Sequence, residues 1–434
     1  MQKPLRIPDK AYAKRRKQLM RMAGDDAIAI LPSAPERIRS RDTYYPYRQD
    51  SDLLYLTGFP EPEAVLVLVP GRKHGEVILF CRERDPEREG WDGPRFGPEG
   101  AVEAFGLDDA YPITDLDDIL PGLLEGRSRV YYHFGRDQEF DLKLIGWLNR
   151  VRAMMRQGAQ PPHEFLELGH LLDELRLFKD RDELRLMQRA ADISVLAHEA
   201  AMLAARPGIH EYQLQAEVER VFRSHDADPA YNSIVGAGTN ACVLHYRANA
   251  AQATDGELVL IDAGAEYRGY AADITRTFPV NGRFTKEQRA LHDLVGEAQA
   301  AALAQARPGV PYEAGHVAAV ETLTEGLLRL GLLKGKLEKN LSDGSYRRFY
   351  RHKTGHWLGL DVHDVGEYRF DGDSRLLEPG VYISPDDTTV DAKWRGIGIR
   401  TEDDVLVTRD EPQVLTDALA RSADEIEALM AARG

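Results

Sequence analysis

The chain has 434 residues, of which 43% are hydrophobic and 29% charged, and its formal net charge is -15. This length and composition predict a soluble globular protein of two or three domains. The acidic balance argues against a nucleic-acid-binding surface, and no apolar run approaches the length of a membrane span. The two cysteines, Cys81 and Cys242, give no disulfide framework. Since no apolar signal segment opens the chain, they predict a reducing, cytoplasmic location.

The first part of the chain alternates short apolar runs with helical patterns. We predict strands at 27–31, 52–58, 64–69, 76–81 and 129–133, and helices near 114–125 and 138–155. Such alternation is typical of an α/β domain with a mixed or parallel sheet. A loop rich in Gly, Pro and Gln follows at 156–162, and a long helical pattern begins near Asp180. We therefore place a domain boundary between residues 178 and 179.

The second part of the chain contains an internal repeat. One Ala-rich helical pattern ends in Ala-Arg-Pro-Gly at 205–208, and another ends in the same four residues at 306–309. Each is followed by a tyrosine, a second helical pattern and strands. A repeat of this kind predicts a duplicated α+β half, so each half should contribute groups to one site.

A short hairpin predicts the functional centre. The apolar run at 258–261 is typical of a buried strand. If the chain turns at 267–268, Asp262 lies directly opposite Asp273, with Cβ atoms about 5 Å apart. Two buried carboxylates repel each other unless a cation lies between them. The alternative is a pair of solvated aspartates on the surface.

Two further segments offer matching groups from the second half. His352, His356 and His363 lie within twelve residues of one another. Further on, residues 395–403 alternate as a strand, so Arg400 and Glu402 point to the same face. The alternative is a surface salt bridge beside a histidine-rich loop.

Taken together, these segments resemble the pita-bread metallopeptidases, and among them the aminopeptidase P (Xaa-Pro aminopeptidase) family. The matching motifs lie at 45–49, 55–59, 231–236, 244–246, 262–264, 273–278, 356–366 and 396–402. The resemblance implies an α/β creatinase-type N-terminal domain at 1–178 that serves oligomerisation and pocket closure. It also implies an α+β pita-bread catalytic domain at 179–434 with a pseudo-two-fold internal duplication.

The resemblance implies a dinuclear metal site. Family members bind two metal ions through two Asp, one His and two Glu. Transferred by motif, the ligands are Asp262, Asp273, His356, Glu378 and Glu402, with Asp273 and Glu402 bridging the ions. This oxygen-rich set with one imidazole suits two Mn(II) ions. The metal pair would activate water and polarise the scissile carbonyl.

The resemblance also implies roles for residues around the metal site. His245 and His363 would hold the substrate and the tetrahedral oxyanion, and Glu378 would help to move protons. His352 and Arg400 would line the pocket.

Three aromatic residues are expected to bind substrate. By the resemblance these are Tyr231, Tyr382 and Trp91. Trp91 would close the site of a neighbouring subunit, which implies a homodimer or homotetramer.

One segment departs from the family pattern. The family has two copies of Glu-Pro-Gly around a strand, whereas here only Glu378-Pro379-Gly380 is present. Glu378 matches the first family copy by its distance from His363 and the second by its distance from Glu402. A collapsed repeat could leave Glu378 in the metal shell or out of its reach. Another explanation is that the sequence lacks residues that the natural chain has.

We therefore predict a dinuclear metallopeptidase that removes an N-terminal residue from peptides with proline at the second position. One alternative is a prolidase that cleaves only Xaa-Pro dipeptides. Another is a catalytically impaired pita-bread binding protein, since one Glu-Pro-Gly strand is missing. A metal-free creatinase-like hydrolase is disfavoured, because that branch lacks the full carboxylate set.

Overall fold

The computed structural model describes residues 5–367, 369–370, 373–374, 380–384 and 386–432. The chain divides into two compact units, Met1–Asp182 and Glu183–Gly434, here called unit 1 and unit 2. This division falls four residues after the boundary expected from the sequence. In the described ranges, no helix is both long enough and apolar enough to cross a membrane.

Unit 1 is built on a six-stranded mixed sheet with the order β6-β5-β4-β1-β7-β8. Strand β4 runs antiparallel to both of its neighbours, and the other pairs are parallel. The strands of unit 1 are β1 Ala27–Pro32, β2 Ile38–Ser40, β3 Thr43–Tyr44, β4 Val65–Leu68, β5 Val77–Cys81, β6 Asp109–Pro112, β7 Arg129–Tyr132 and β8 Glu164–Glu167. The helices are α1 Asp9–Ala23, α2 Ser51–Thr57, α3 Pro86–Asp92, α4 Gly97–Phe105, α5 Leu116–Leu124, α6 Gln138–Ala153 and α7 Gly169–Leu177.

The strand predicted at 52–58 is wrong, because this segment is helix α2. Asp50 caps the helix by accepting hydrogen bonds from the backbone N–H groups of Asp52 and Leu53. Gly58 ends it in the left-handed conformation that favours glycine, with φ 70°. The N-terminal cap and the C-terminal glycine outweigh the β-like apolar run between them.

In its described residues, unit 2 contains two pairs of long helices, two shorter helices and several small antiparallel sheets. The helices are α8 Arg181–Ala204, which begins two residues before the unit boundary, α9 Glu211–Ser224, α10 Lys286–Leu303, α11 Tyr312–Arg329, α12 Leu337–Asp343 and α13 Ala423–Ala431. The strands are β9 Asp228–Pro229, β10 Ile234–Ala237, β11 Leu258–Asp262, β12 Ala265–Tyr267, β13 Tyr270–Ala271, β14 Thr275–Pro279, β15 Arg369–Phe370, β16 Asp373–Ser374, β17 Gly380–Tyr382, β18 Gly398–Arg400, β19 Val405–Leu406 and β20 Gln413–Val414. The pairs α8–α9 and α10–α11 are each joined through one of the repeated Pro-Gly segments, as the sequence predicts.

The hairpin at the centre of unit 2 differs in register from the prediction. Asp262 pairs with Thr275, and the turn is formed by Arg268 and Gly269. Both turn residues have positive φ, 54° and 87°, as a type I′ turn requires. The predicted direct opposition of Asp262 and Asp273 is therefore wrong by two residues. A shift of two positions keeps each side chain on its original face, because side chains alternate with a period of two.

Candidate metal centre

Three adjacent strands of unit 2 form the floor of the candidate site. Asp262 ends β11 and pairs with Thr275, the first residue of β14. Thr275 in turn forms a bridge with Glu402, just after β18, and Glu402 N–H donates to the Thr275 carbonyl at 3.1 Å. Asp262, Thr275 and Glu402 therefore lie in one row across the strands. This row brings together carboxylates that are far apart in sequence.

Asp262, Asp273 and Glu402 form a carboxylate cluster. They offer one oxygen each, and these oxygens all lie within 4.8 Å of one another. Asp262 and Glu402 are buried, and Asp273 is partly buried. Three negative charges so close together in the interior require positive charge between or beside them. The cluster thus suits a divalent cation, since carboxylate oxygens are ligands that such ions prefer.

His356 adds an imidazole to this cluster. Its Nε2 lies 3.2 Å from Asp273 Oδ2, and its Nδ1 lies 2.9 Å from the backbone oxygen of Trp357. Histidine ligands usually bond a carbonyl through the second ring nitrogen, which orients the first toward the metal. The structure thus brings together Asp262, Asp273, Glu402 and His356, while Glu378 lies outside the described residues.

The electrostatics of the cluster show how strongly it needs positive charge. Burial raises the pKa of Asp262 to about 8, even though Arg400 opposes that shift and Glu402 and Asp273 add to it. Burial also acts to raise the pKa of Asp273, but the hydrogen bond and charge of His356 outweigh it and lower that pKa. Bound cations would keep both carboxylates ionised.

Arg400 supplies part of the missing charge. Its Nη2 lies 2.5 Å from Asp262 Oδ2, and its Nε lies 3.1 Å from Glu402 Oε1. The same Nε donates to Thr275 Oγ1 at 3.3 Å, and the Thr275 hydroxyl donates to Glu402. Arg400 therefore contacts both Asp262 and Glu402. The sequence had suggested only that it lines the pocket.

The remaining predicted histidines lie around the cluster. The ring of His363 packs edge-on against His356, with centroids 4.3 Å apart. Burial lowers the pKa of His352, and the charges of Glu402 and Arg400 also reach this residue. Burial and the charge of His356 lower the pKa of His363. His245 and His363 are exposed side chains, open to a bound molecule.

The three aromatic residues expected to bind substrate differ in placement. The Tyr231 hydroxyl lies 2.6 Å from Oδ1 of both Asp262 and Asp273. The backbone of Tyr382 belongs to β17, and its side chain lies outside the described residues. Trp91 belongs to helix α3 of unit 1, and its side chain is 84% exposed. The structure thus places Tyr231 among the carboxylates.

Sequence reasoning missed the residues that support the cluster from behind. Asp404 accepts the backbone N–H of Asp273 at 3.1 Å. Arg276, fully buried, donates to Asp403 at 2.7 Å and to the Glu402 carbonyl at 2.8 Å. The run of three acidic residues at 402–404 was the available signal, because such a run at the end of a buried strand needs partners.

Family comparisons fit this geometry. Residues 185–409 match metallopeptidase family M24, and residues 12–132 match the aminopeptidase P N-terminal domain. The chain belongs to metallopeptidase family M24, with an aminopeptidase P N-terminal domain preceding a pita-bread catalytic domain. Membership of this family implies divalent metal ions, for which the carboxylate cluster offers ligands.

Relatives that match almost the entire chain are Xaa-Pro aminopeptidases, which identifies the kind of M24 metallopeptidase. The Xaa-Pro aminopeptidase of Escherichia coli (strain K12) is 42% identical, and the match covers 98% of each chain. That of Haemophilus influenzae is 39% identical with the same coverage. The structure of Pseudomonas aeruginosa aminopeptidase PepP superposes with a TM-score of 0.98 at 56% identity, over 99% of each chain. A Zn-substituted Escherichia coli aminopeptidase P in complex with product gives 0.96 at 41% identity, over 99% of each chain.

Proposed function

We propose that this chain is a metal-dependent Xaa-Pro aminopeptidase that hydrolyses the bond between an N-terminal residue and a following proline. Asp262, Asp273, His356 and Glu402 are the residues that would hold two divalent ions, and Asp273 and Glu402 would be shared between them. The observation that supports this proposal is the cluster of three carboxylates and one imidazole, in a chain that matches an Xaa-Pro aminopeptidase over 98% of its length.

The residues around the cluster divide the chemical work. When bound, the metal ions supply Lewis-acid activation of water and of the scissile carbonyl. His356 and the carboxylates fix the position of the ions, and Arg400 fixes Asp262 and Glu402. The exposed His245 and His363 orient the peptide and donate hydrogen bonds to the carbonyl oxygen as negative charge develops on it. His352 lines the substrate pocket.

We assign the native metal as Mn(II). The ligand set consists of carboxylate oxygens and one imidazole. Such a set suits Mn(II), whereas structural zinc sites are rich in sulfur ligands. Glu378 would be the fifth ligand and a proton carrier where the shortened segment lets it reach the ions, whereas in the impaired candidate below it lies out of reach. It precedes Gly380 by two residues, Gly380 pairs with Arg400, and Glu402 follows Arg400 by two residues. In sequence, Glu378 is thus as far from this pair as Glu402 is.

The N-terminal domain, proposed as residues 1–178, serves assembly and pocket closure. Trp91, on the surface of unit 1, reaches the site of a neighbouring subunit in a homodimer or homotetramer. Tyr382 contacts the substrate. We place the protein in the cytoplasm, where its two cysteines stay reduced: Cys81 and Cys242 are both free thiols.

A substrate series tests the activity. With Mn(II) present, we expect hydrolysis of Xaa-Pro-Xaa tripeptides and longer peptides and little hydrolysis of Xaa-Ala-Xaa. Cleavage of Xaa-Pro dipeptides alone would establish a prolidase instead. His363→Ala should reduce turnover about 100- to 1000-fold with metal content retained, because it removes an oxyanion donor. His74→Ala, which changes an exposed histidine of unit 1, is the matched control.

A specific observation favours one second candidate, a catalytically impaired relative. The single Glu-Pro-Gly at 378–380 leaves the chain about one strand short of the family pattern. Measured turnover on a tripeptide separates this candidate from the first, since only an impaired protein would bind Xaa-Pro peptides without cleaving them.

A further inference from the structure

We propose that Tyr231 is a positioning residue of the metal centre: its hydroxyl holds Asp262 and Asp273 in the arrangement that receives the ions. This inference deepens the proposed function and rests on it. It replaces the substrate-binding role that the sequence suggested for Tyr231.

The hydroxyl of Tyr231 joins two carboxylates from different strands. It lies 2.6 Å from Asp262 Oδ1, at the end of β11, and 2.6 Å from Asp273 Oδ1, just before β14. The hydroxyl has one proton, which it donates to one of the two carboxylates at a time, and both distances lie within the range of about 2.5–2.7 Å for such a bond. One phenol therefore sets the separation of the two aspartates.

Each aspartate is held at both of its oxygens. Asp262 uses Oδ1 for Tyr231 and Oδ2 for Arg400 Nη2, at 2.5 Å. Asp273 uses Oδ1 for Tyr231 and Oδ2 for His356 Nε2, at 3.2 Å. Two contacts on one carboxylate fix its plane as well as its position, which is how hydrogen-bonded partners orient a metal ligand. Without the hydroxyl, each carboxylate would be held from one side only.

The backbone on both sides of Tyr231 is tied to the segment that carries Asp262. Ala230 donates its N–H to the Gly264 carbonyl at 2.9 Å, in the turn that follows Asp262. A Cβ atom at Gly264 would lie 1.7 Å from the Ala272 carbonyl oxygen. The chain at Gly264 is therefore also in close contact with the chain just before Asp273. Ile234, three residues after Tyr231, pairs with Asp262 in the β10–β11 ladder. Tyr231 is thus anchored to the same strand as one of the carboxylates that it holds.

The variant Tyr231→Phe tests the proposal, because it keeps the ring and removes only the hydroxyl. Titration calorimetry with Mn(II) should show weaker metal binding by about 10- to 100-fold, the usual effect of losing a group that orients a ligand. At saturating Mn(II), KM for an Xaa-Pro-Xaa peptide should equal the wild-type value. Tyr267→Phe, which changes a buried tyrosine of β12 beside Arg268, is the matched control.

The outcomes separate this inference from the proposed function. Unchanged Mn(II) affinity with a raised KM would overturn the inference and restore a substrate-binding role. A wild-type protein that binds no Mn(II) would overturn the proposed function itself. Melting of the metal-free proteins shows whether Tyr231→Phe is folded. If it is not folded without metal, Mn(II) is added until a cooperative melting transition appears. A transition that appears at the Mn(II) concentration that saturates the wild type would contradict the proposal.

Discussion

Arg400 Nη2 donates to Asp262 Oδ2 at 2.5 Å, and both side chains are buried. The same guanidinium contacts Glu402 through Nε. One cation thus neutralises part of a carboxylate cluster that also has to accept metal ions.

We predict that Arg400→Gln destabilises the metal-free protein by about 3–5 kcal/mol, the usual cost of leaving a buried ion-pair partner unpaired. Saturating Mn(II) should restore part of this loss, because the ions supply the missing positive charge. Urea unfolding with and without Mn(II) measures both effects. Arg283→Gln is the control: Arg283 is 74% exposed and pairs with Glu427 on the surface, so its loss should cost less than about 1 kcal/mol. Equal effects of the two substitutions would contradict the prediction.

Asp273→Ala should lose both metal ions, because Asp273 would be a ligand shared by the two ions. Its carboxylate belongs to the cluster, and it also lies beside the imidazole of His356. Elemental analysis after incubation with Mn(II) should give close to two ions in the wild type and fewer than one in the variant. Asp226→Ala, at an exposed residue paired with Arg268, should leave the count unchanged. Retention of both ions by Asp273→Ala would show that this aspartate does not bridge them.

The stability of helix α7 in unit 1 should depend on pH through a buried cluster. His133 lies between Asp52, at 2.9 Å from its Nε2, and Glu167, at 2.5 Å from its Nδ1. Arg176 of α7 donates to the same Asp52 at 2.8 Å. Burial acts to lower the pKa of His133, but the hydrogen bonds and charge of Asp52 and Glu167 outweigh it and raise that pKa.

The sign of the pH effect follows from these shifts. A raised histidine pKa contributes stability that is complete below the ordinary value of 6.5 and is lost as pH rises through the folded value. Burial acts to raise the pKa of Asp52, but His133 and Arg176 outweigh it and lower that pKa well below 3.8. The contribution of Asp52 is therefore present above pH 3.8 and is lost at strongly acidic pH.

Hydrogen exchange of α7, corrected for intrinsic rates, should show protection that falls from pH 6 towards pH 9. His133→Gln should remove most of this dependence, because glutamine cannot carry the charge. His163→Gln, at a side chain that is 70% exposed, should leave the profile unchanged. A His133→Gln profile that matches the wild type would contradict the assignment.

The exposed Trp91 predicts assembly of the chain. Light scattering at micromolar concentration should give two or four times the chain mass of 48.7 kDa. Trp91→Ala should raise KM for peptides without changing that mass, whereas Leu142→Ala, at another large exposed residue, should change neither. A monomer at this concentration would rule out the shared site.

The sequence predicted the strand that carries Asp262, but not the pairing that aligns it. The apolar run at 258–261 alone identifies β11, since four consecutive buried residues leave few other structures. The register depends on the turn, and glycine at 269 sets a turn one residue later than expected. The supporting residues Thr275 and Asp404 were not predicted, because their roles depend on contacts with residues more than 120 positions away.

The last prediction concerns the shortened segment at β17. Within the described residues, β17 covers only Gly380–Tyr382 and pairs with β18. The resemblance to the family leads us to expect a further strand and a second Glu-Pro-Gly at this point. A missing strand removes ladder hydrogen bonds that must be re-paired or left unmade.

We expect lower turnover from this sequence than from a version with an apolar strand and a second Glu-Pro-Gly inserted between Gly380 and Val381. The inserted Glu supplies a carboxylate for the fifth ligand position, which then no longer depends on Glu378. One metal ion should therefore also bind more tightly. Turnover of an Xaa-Pro-Xaa peptide and Mn(II) titration on both proteins measure these effects. An insertion of equal length with Gln in place of its Glu separates the strand from the carboxylate: it should restore stability but not the tighter metal binding. If the original sequence already turns over at full rate, and the insertion brings no gain, then Glu378 fills the fifth position and the shortening affects only the loop after Asp364.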